Sequence, residues 1–273
     1  MIKKIFSTLL AVAMVIGVAS CGDDNDGPQI STTKRSIKVI NHVVNTRTGE
    51  VLPITSNVVD YVFDRVNQKV TEITIRTTID GEKQTTVTLS DLQSSTSNFV
   101  CTFKGSGSGI ENLRGKFDFS EGILRLNYNL VGNYRVISTT PEIFSKSCAT
   151  SCLYSDGKTS KSNGTMYQFN IDPDQSNAKL NIMELIDEEA KRELNTVKTL
   201  TSAKVTATKE GYVIEEEGQM PTTTAYKLNG KTTETTRYPV AGLKATLDLE
   251  NNKFEATMQV GSISVTASGS VSN

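Results

Sequence analysis

Residues 70–89 read VTEITIRTTIDGEKQTTVTL, and this stretch decides the fold class. On both sides of its centre, apolar and polar residues alternate with a period of two, which is typical of strands that bury one face. The central pair, Asp80-Gly81, suits a type I′ turn because both central residues of that turn take a positive φ. The stretch therefore predicts a β-hairpin made of residues 70–79 and 85–89.

The same alternation continues along the chain in both directions. Ile37 to Val44 marks an earlier strand, and residues 58–66 form another that Asn67-Gln68 joins to residue 70. Farther on, Asn229-Gly230 predicts a second tight hairpin, which joins residues 222–228 to residues 231–236. The sequence thus predicts an all-β protein of antiparallel strands, arranged as barrels or sandwiches.

One segment, residues 187–197, departs from strand alternation. Asp187 suits a helix N-cap, and the two glutamates that follow it complement the positive end of a helix dipole. The apolar residues that share one helical face are Ile186, Ala190, Leu194 and Val197. This pattern predicts one short helix, in the second half of the chain.

Two pairs of segments indicate an internal duplication. Tyr61-Val62-Phe63-Asp64 resembles Tyr167-Gln168-Phe169-Asn170, and residues 113–119 resemble residues 243–249. Because the two matches occur in the same order, we expect two repeated β units, with the helix and its flanks accounting for much of the difference in spacing.

The predicted organisation is a first β unit at residues 34–154, a polar linker at 155–163 and a second β unit at 164–273. Either the two units stand as separate domains or they close against each other as one continuous barrel. Both arrangements remain open, since contact between the halves would cover sheet edges that are otherwise exposed.

The first 27 residues carry a different pattern. Lys3 and Lys4 precede an apolar run at residues 5–18, which is shorter than the roughly 20 residues that span a bilayer. The run ends in Val18-Ala19-Ser20-Cys21, a small-residue cleavage site followed by cysteine. An ordinary secretory peptide or a single membrane anchor is the alternative interpretation.

This arrangement resembles the lipobox of bacterial lipoproteins, and the acidic run at residues 22–27 resembles the surface-export signal of Bacteroidota lipoproteins. The resemblance implies a signal peptide at residues 1–20 and a lipidated, disordered tether at residues 21–33, with acyl chains such as palmitate on Cys21. The residues that would form the export signal are Asp23, Asp24, Asn25 and Asp26. It implies an outer-membrane protein anchored by lipid, at the cell surface or, alternatively, facing the periplasm.

Three further cysteines follow. Cys148 and Cys152 lie four residues apart in a polar stretch that a turn would close into a disulfide in an oxidising compartment, or that leaves both thiols free. Cys101 lies in a strand pattern and is expected to be buried. His42 is the only histidine, more than 100 residues from the cysteine pair, so we expect it to be a surface strand residue and expect no metal site.

Charge and motifs exclude several function classes. The formal net charge is −1, or −3 once Lys3 and Lys4 leave with the signal, which argues against nucleic acid as a partner. The glycine-rich residues 105–109 lack the lysine of a phosphate-binding loop, and Asp172-Pro173-Asp174 starts like a calcium loop without completing one. We predict no catalytic residues, no cofactor and no metal.

Part of the second half, with Tyr167 and Phe169, Asp172-Pro173-Asp174 and Ala178-Lys179-Leu180, resembles lipocalin-like or calycin-like domains of Bacteroidota lipoproteins. The chain is therefore expected to be a non-catalytic module, anchored to a membrane, that binds a small molecule, a glycan or a protein. The absence of tryptophan lowers the expectation of a glycan. Two alternatives are a hydrolase with paired carboxylates in a cleft and a structural subunit of a surface assembly that exchanges a terminal strand at residues 262–271.

Overall fold

The computed structural model describes residues 31–77, 85–107, 109–174, 176–187, 192–198, 203–216, 220–227 and 237–272. Within these ranges the chain forms strands and no helix, as expected for an all-β protein. The described residues therefore include no helix long and apolar enough to cross a membrane. The predicted signal, Cys21, the export signal at 23–26 and the tether up to residue 30 lie outside them.

Residues from Thr32 onward form one compact unit built from two antiparallel sheets. The strands of the first sheet are β1 Thr32–Asn45, β2 Thr55–Asp64, β3 Lys69–Thr77, β4 Thr85–Leu89, β5 Gln93–Ser97, β6 Val100–Gly107, β7 Ile110–Asp118, β8 Ile123–Leu130 and β9 Tyr134–Thr139. Those of the second are β10 Glu142–Leu153, β11 Thr159–Asp172, β12 Asn177–Asp187, β13 Arg192–Lys198, β14 Lys204–Ala207, β15 Gly211–Glu216, β16 Met220–Lys227, β17 Arg237–Asp248, β18 Lys253–Val260 and β19 Ile263–Ser272.

The second sheet closes into an eight-stranded barrel. Its ring runs β10, β19, β18, β17, β15, β14, β12, β11 and back to β10, so that strands close in sequence lie side by side. The last gap is sealed by backbone hydrogen bonds from Ala178 N–H to the Ala203 carbonyl at 3.1 Å and from Val205 N–H to the Ser176 carbonyl at 2.9 Å. Neighbouring strands that follow one another in this way define an up-and-down barrel.

The first sheet has the order β4-β3-β2-β1-β9-β8-β7-β6-β5 and curls without closing. Its two sides approach where the Ser94 and Thr96 hydroxyls donate to the carbonyls of Val70 and Gln68. Side-chain hydroxyls therefore link the two sides of the first sheet, whereas backbone amides link the corresponding strands of the barrel. The predicted hairpin is present, since Thr77 pairs with Thr85, while its turn at 78–84 lies outside the described residues.

The strand register bears out the internal duplication. Tyr61 pairs with Ile73 as Tyr167 pairs with Ile182, and Phe117 pairs with Leu124 as Leu247 pairs with Phe254. The same irregularity interrupts both later pairs, after Glu111 in the first sheet and after Ala241 in the barrel. Such matched bulges indicate two copies of one strand plan.

The spacing between copies changes at a different place from the one predicted. Equivalent residues are 106 apart at Tyr61 and Tyr167, 111 apart at Cys101 and Tyr212, and 130 apart at Phe117 and Leu247. Most of the added length therefore falls between β15 and β17, where β16 has no counterpart in the first sheet. Of the second predicted hairpin, residues 228–236 with Asn229-Gly230 lie outside the described residues.

The helix predicted at 187–197 is wrong for the described part of that segment. Asp187 ends β12 and pairs with Arg192, the first residue of β13, while residues 188–191 lie outside the description. The β13 strand pairs with β12 as β4 pairs with β3, so the repeated strand plan decides its conformation. Tertiary pairing overrides the local helical pattern here.

The two sheets meet at Thr140-Pro141, earlier than the polar run 155–163 that the sequence suggested as a linker. That run contains the turn between β10 and β11 and the start of β11, with Tyr154 N–H donating to the Lys158 carbonyl at 2.9 Å. At the other end, β1 begins at Thr32, so the final two residues of the predicted tether are strand.

The predicted disulfide is not formed. Cys101, Cys148 and Cys152 are all free and buried. Cys148 and Cys152 lie on the same strand, β10, where four residues of extended chain at about 3.3 Å each separate the α-carbons by more than a disulfide spans. The Cys148 thiol instead contacts the Ser145 hydroxyl at 3.0 Å.

Aromatic side chains occupy the barrel interior. Tyr167, Phe169, Tyr212 and Phe254 are all buried in one cluster, and the rings of Tyr167 and Phe254 lie 4.9 Å apart. Eight-stranded barrels are just wide enough to be filled by side chains or to hold one small ligand. This barrel has a packed aromatic core in the described residues.

The outer wall of the first sheet, meaning the face directed away from that sheet's own core, covers one end of the barrel. Ile40 on β1 and Ile137 on β9 belong to the same buried cluster as the barrel interior. His42, expected on the surface, is only 1% exposed, and its ring lies edge-on to Tyr212 with centroids 5.6 Å apart. Its Nε2 lies 2.6 Å from the Thr208 carbonyl, in the turn between β14 and β15.

Candidate functional site: a basic cleft between sheet and barrel

A cleft of about 670 Å³ lies where strands β7, β8 and β9 meet the barrel. We call it the basic cleft. Its lining residues are Arg114, Gly115, Lys116, Arg125, Asn127, Arg135, Ile137, Glu250, Asn252 and Val271. Four of them are arginine or lysine and one is a carboxylate, so the lining carries a net positive charge.

Strand alternation places these cations on one face. On β7, Leu113 and Phe117 point into the core of the first sheet, while Arg114 and Lys116 are exposed on the opposite side. The register puts Lys116 directly opposite Arg125 on β8, and Arg114 opposite Asn127. Because residues two apart share a face, Lys116 and Arg125 form one row across the sheet and Arg114 lies in the next row, beside Asn127.

Arg125 is the buried member of the group, with 8% of its surface exposed. Its guanidinium donates from Nη1 to Asn252 Oδ1 at 2.6 Å and from Nη2 to the Leu249 carbonyl. Its Nε has no hydrogen-bond partner, and among the described residues no carboxylate forms an ion pair with it. Burial lowers the pKa of Arg125 from its ordinary value. A cation buried without an anion is costly, and proteins rarely retain one.

Arg135 lies at the edge of the cleft. It forms an ion pair with Glu250 from the turn between β17 and β18, and its Nη2 donates to the Lys209 carbonyl at 3.3 Å. Glu250 is the single carboxylate of the lining and is engaged by this arginine. Within the described part of the chain, neither Arg125 nor Arg114 therefore forms an ion pair with a carboxylate of the cleft.

A second cleft of about 500 Å³ on the other side of the junction is acidic. It contains Glu121, Glu142, Asp172 and Asp174, together with Lys38 and Lys179. Its lining includes the Asp172-Pro173-Asp174 turn between β11 and β12, where Asp172 Oδ1 accepts from Asp174 N–H at 3.1 Å. In the part of the chain that the structure describes, no group of side chains suits a metal ion.

A third concavity of about 500 Å³ lies on the outer wall of the barrel. It is bounded by two lysines and carries a row of hydroxyls in direct cross-strand register. The members of that row are Lys161, Ser151, Thr266, Thr257 and Lys244. This surface is the duplicated counterpart of the wall that carries the basic cleft, since Thr257 and Thr266 are equivalent to Asn127 and Ile137.

Of the site residues predicted from sequence, the two that the structure describes, Cys148 and Cys152, line none of these clefts. Cys21 and the export residues lie outside the described ranges, and Cys148 and Cys152 are buried in the barrel. The basic cleft was not predicted. Its only signal in the sequence is the alternation Arg114-Gly115-Lys116 on a predicted strand, which does not show that Arg125 lies beside it.

Comparison with known proteins gives little. No protein-family model matches the chain, and no curated protein matches it. Among solved structures, the crystal structure of Burkholderia oklahomensis agglutinin aligns with 85% of this chain and 95% of its own, at 11% identity and a TM-score of 0.18. We draw nothing about fold or ligand from a likeness of that size.

Proposed function

We propose that this chain is a lipid-anchored surface lipoprotein, held through Cys21, and that it acts as a non-catalytic module that binds an anionic ligand in the basic cleft. The observation that carries the binding proposal is Arg125, a buried guanidinium that has no carboxylate partner among the described residues and lies in a cleft lined by further cations. An anion in the cleft would supply the missing counter-charge.

The chemistry of the lining suits a carboxylate, sulfate or phosphate group. Hydrogen bonds between guanidinium groups and oxyanions are charge-assisted and roughly twice as strong as neutral ones. Arg114 and Lys116 lie at the open side, where they would meet the ligand first, and Asn127 adds an amide. We place the ligand in this cleft and not inside the barrel, because aromatic rings occupy that interior.

The test of anion binding measures thermal unfolding of the full-length protein in detergent, with sodium sulfate or sodium phosphate against sodium chloride of equal ionic strength. A ligand that binds only the native state stabilises it by RT ln(1 + [L]/Kd), about 2.7 kcal/mol at one hundred times Kd. Sulfate also stabilises proteins generally by exclusion from their surfaces, so the variants decide the outcome.

Arg125→Gln and Arg114→Gln should each reduce the extra stabilisation, whereas Lys244→Gln, at the equivalent position of the barrel wall, should leave it unchanged. If all three variants gain as much from sulfate and phosphate as the wild type does, the basic cleft does not bind anions. Arg114→Gln keeps this test decisive should Arg125→Gln fold poorly, because Arg114 is exposed.

The anchor rests on the sequence pattern around Cys21 and has its own test. Cys21→Ala should release the protein from the membrane fraction, and continued sedimentation with membranes would contradict the lipoprotein proposal. Replacing Asp23, Asp24 and Asn25 with alanine should keep the lipid but move the protein to the periplasmic side. Unchanged protease sensitivity on intact cells would contradict surface export.

A further inference from the structure

The cations of the basic cleft continue across the first sheet. Lys104 on β6 pairs directly with Arg114 on β7, and Lys116 on β7 pairs directly with Arg125 on β8. Like charges placed directly opposite each other on neighbouring strands destabilise a sheet. Two such pairs lie side by side here, which is more positive charge than a single anion-binding residue requires.

The duplicated barrel shows that the fold does not require these cations. The equivalent of the Lys104 and Arg114 pair is Glu215 and Lys244, whose side chains form an ion pair at 3.1 Å. The equivalent of Lys116 and Arg125 is Thr246 and Glu255. In the barrel, opposite or neutral neighbours occupy the positions where the first sheet has four positive charges.

The surface around Lys104 is itself concave. A cavity of about 380 Å³ there shares Arg114 with the basic cleft and is lined by Lys104, Gln93, Ser106 and Asn112, with Asp91 as its carboxylate. Strands in a sheet lie about 4.8 Å apart. The cations from β6 to β9 therefore extend over roughly 14 Å, which is longer than one anionic group.

We infer that the ligand is a linear acidic polysaccharide, which enters the basic cleft at Arg125 and runs over β7 to Lys104. This rests on the proposed function and extends it. Charges repeated along a chain fit cations repeated across strands, and the amides and hydroxyls of Gln93, Asn127 and Ser106 suit sugar hydroxyls. Neither lining includes an aromatic side chain on which nucleic-acid bases would stack.

The experiment is titration calorimetry on the full-length protein in detergent at fixed ionic strength. The probes are galacturonic acid, its trimer and hexamer, a heparin hexasaccharide and the neutral maltohexaose. We expect the affinity for one or both acidic hexamers to exceed that for the monomer at least tenfold, with no binding of maltohexaose. Comparing the two acidic hexamers shows whether carboxylates are enough or sulfates are needed, because hexagalacturonate carries carboxylates alone and the heparin hexasaccharide carries both.

Lys104→Gln should weaken binding of the bound hexamer at least threefold and leave sulfate and monomer binding unchanged, because Lys104 lies outside the basic cleft. Arg125→Gln should weaken all of them, and Lys244→Gln, the matched control on the barrel wall, none. Lys104 is exposed, so its variant should fold normally.

Two results would overturn the inference while leaving anion binding in place. One is that the acidic hexamers bind no more tightly than the galacturonic acid monomer, or that they bind Lys104→Gln as tightly as the wild type. The other is tighter binding of hexaglutamate or of a thymidine hexanucleotide than of either acidic hexasaccharide. The proposed function itself would be overturned if sulfate, phosphate and the galacturonic acid monomer also showed no binding.

Discussion

Replacing Gly115 with alanine should destabilise the first sheet through a single steric conflict. Gly115 lies on β7 directly opposite Phe103 on β6. A Cβ at position 115 would lie 2.1 Å from Cε2 and Cζ of the Phe103 ring. Carbon atoms in contact normally lie about 3.5–4.0 Å apart. The ring or the strand must therefore move by roughly 1.5 Å, and Phe103 is buried among core residues that resist such a shift.

The expected cost follows from overpacking in a filled core. Extra methyl groups in well-packed interiors cost about 1–3 kcal/mol, and we take about 2 kcal/mol because the clash is with a ring that has little free space. For a unit of this size each kcal/mol lowers the unfolding temperature by about 2–4 °C, so the expected shift is about 4–8 °C.

The duplication supplies the compensating change. At the equivalent positions of the barrel, Ala245 lies opposite Ile214. Introducing Phe103→Ile together with Gly115→Ala reproduces that pair, and the double variant should regain most of the lost stability. Phe103→Ile alone should cost about 1 kcal/mol, as volume-conserving or modestly smaller core changes do. The coupling between the two changes should then exceed about 1.5 kcal/mol.

Urea unfolding followed by far-ultraviolet circular dichroism measures all four proteins, since the chain has no tryptophan to report by fluorescence. An unchanged midpoint for Gly115→Ala would refute the predicted clash. Additive effects in the double variant would refute the equivalence of the two strand pairs, even if the single alanine variant were destabilised.

Three further predictions concern the junction, the thiols and the curled sheet. The free energy of unfolding should fall as the pH drops below about 6.5, because burial holds the pKa of His42 below its ordinary value. Below that pH the unfolded chain takes up a proton that the native protein does not. In urea titrations from pH 8 to about pH 5, the free energy of unfolding of His42→Gln should depend less on pH than that of the wild type. Cys148 and Cys152 should both be alkylated by iodoacetamide in denaturant without prior reduction, and a pair that needs reductant first would contradict the free thiols. Ser94→Ala should cost about 1 kcal/mol by removing a hydrogen bond to β3 and should speed amide exchange in β5, whereas the exposed Ser95→Ala should do neither.

Strand alternation was enough to predict the fold class and the duplication. The hairpin around residue 80 and the match between Tyr61 and Tyr167 both depend on local patterns that survive in the final register. The prediction of a linker at 155–163 is wrong because hairpin turns and linkers share the same residue types. The composition of residues 155–163 does not show whether the strand that follows them pairs with the strand before them, as in a hairpin, or belongs to a separate unit.

The basic cleft was beyond prediction for a different reason. It depends on which residue of β8 lies opposite Lys116, and a register irregularity between Glu111 and Arg114 shifts that pairing. Asn112, inside the irregularity, takes a positive φ of 55°. A period-two pattern fixes the face of each residue but not its cross-strand neighbour, so the like-charged pairs become visible only in the folded sheet.

The location of the cleft follows from how the two copies diverged. In the first sheet the outer wall carries Ile40 and Ile137, which pack against the barrel interior; the equivalent positions on the barrel wall are Ala149 and Thr266, which are exposed. The first copy thus has an apolar outer face that covers one end of the second copy. Arg125 lies on that wall and is buried only because the barrel covers it, whereas its counterpart Glu255 remains in solvent. A charge that the barrel shields from water attracts an oxyanion more strongly than a charge in water does. The proposed site therefore depends on contact between the first sheet and the barrel of the same chain.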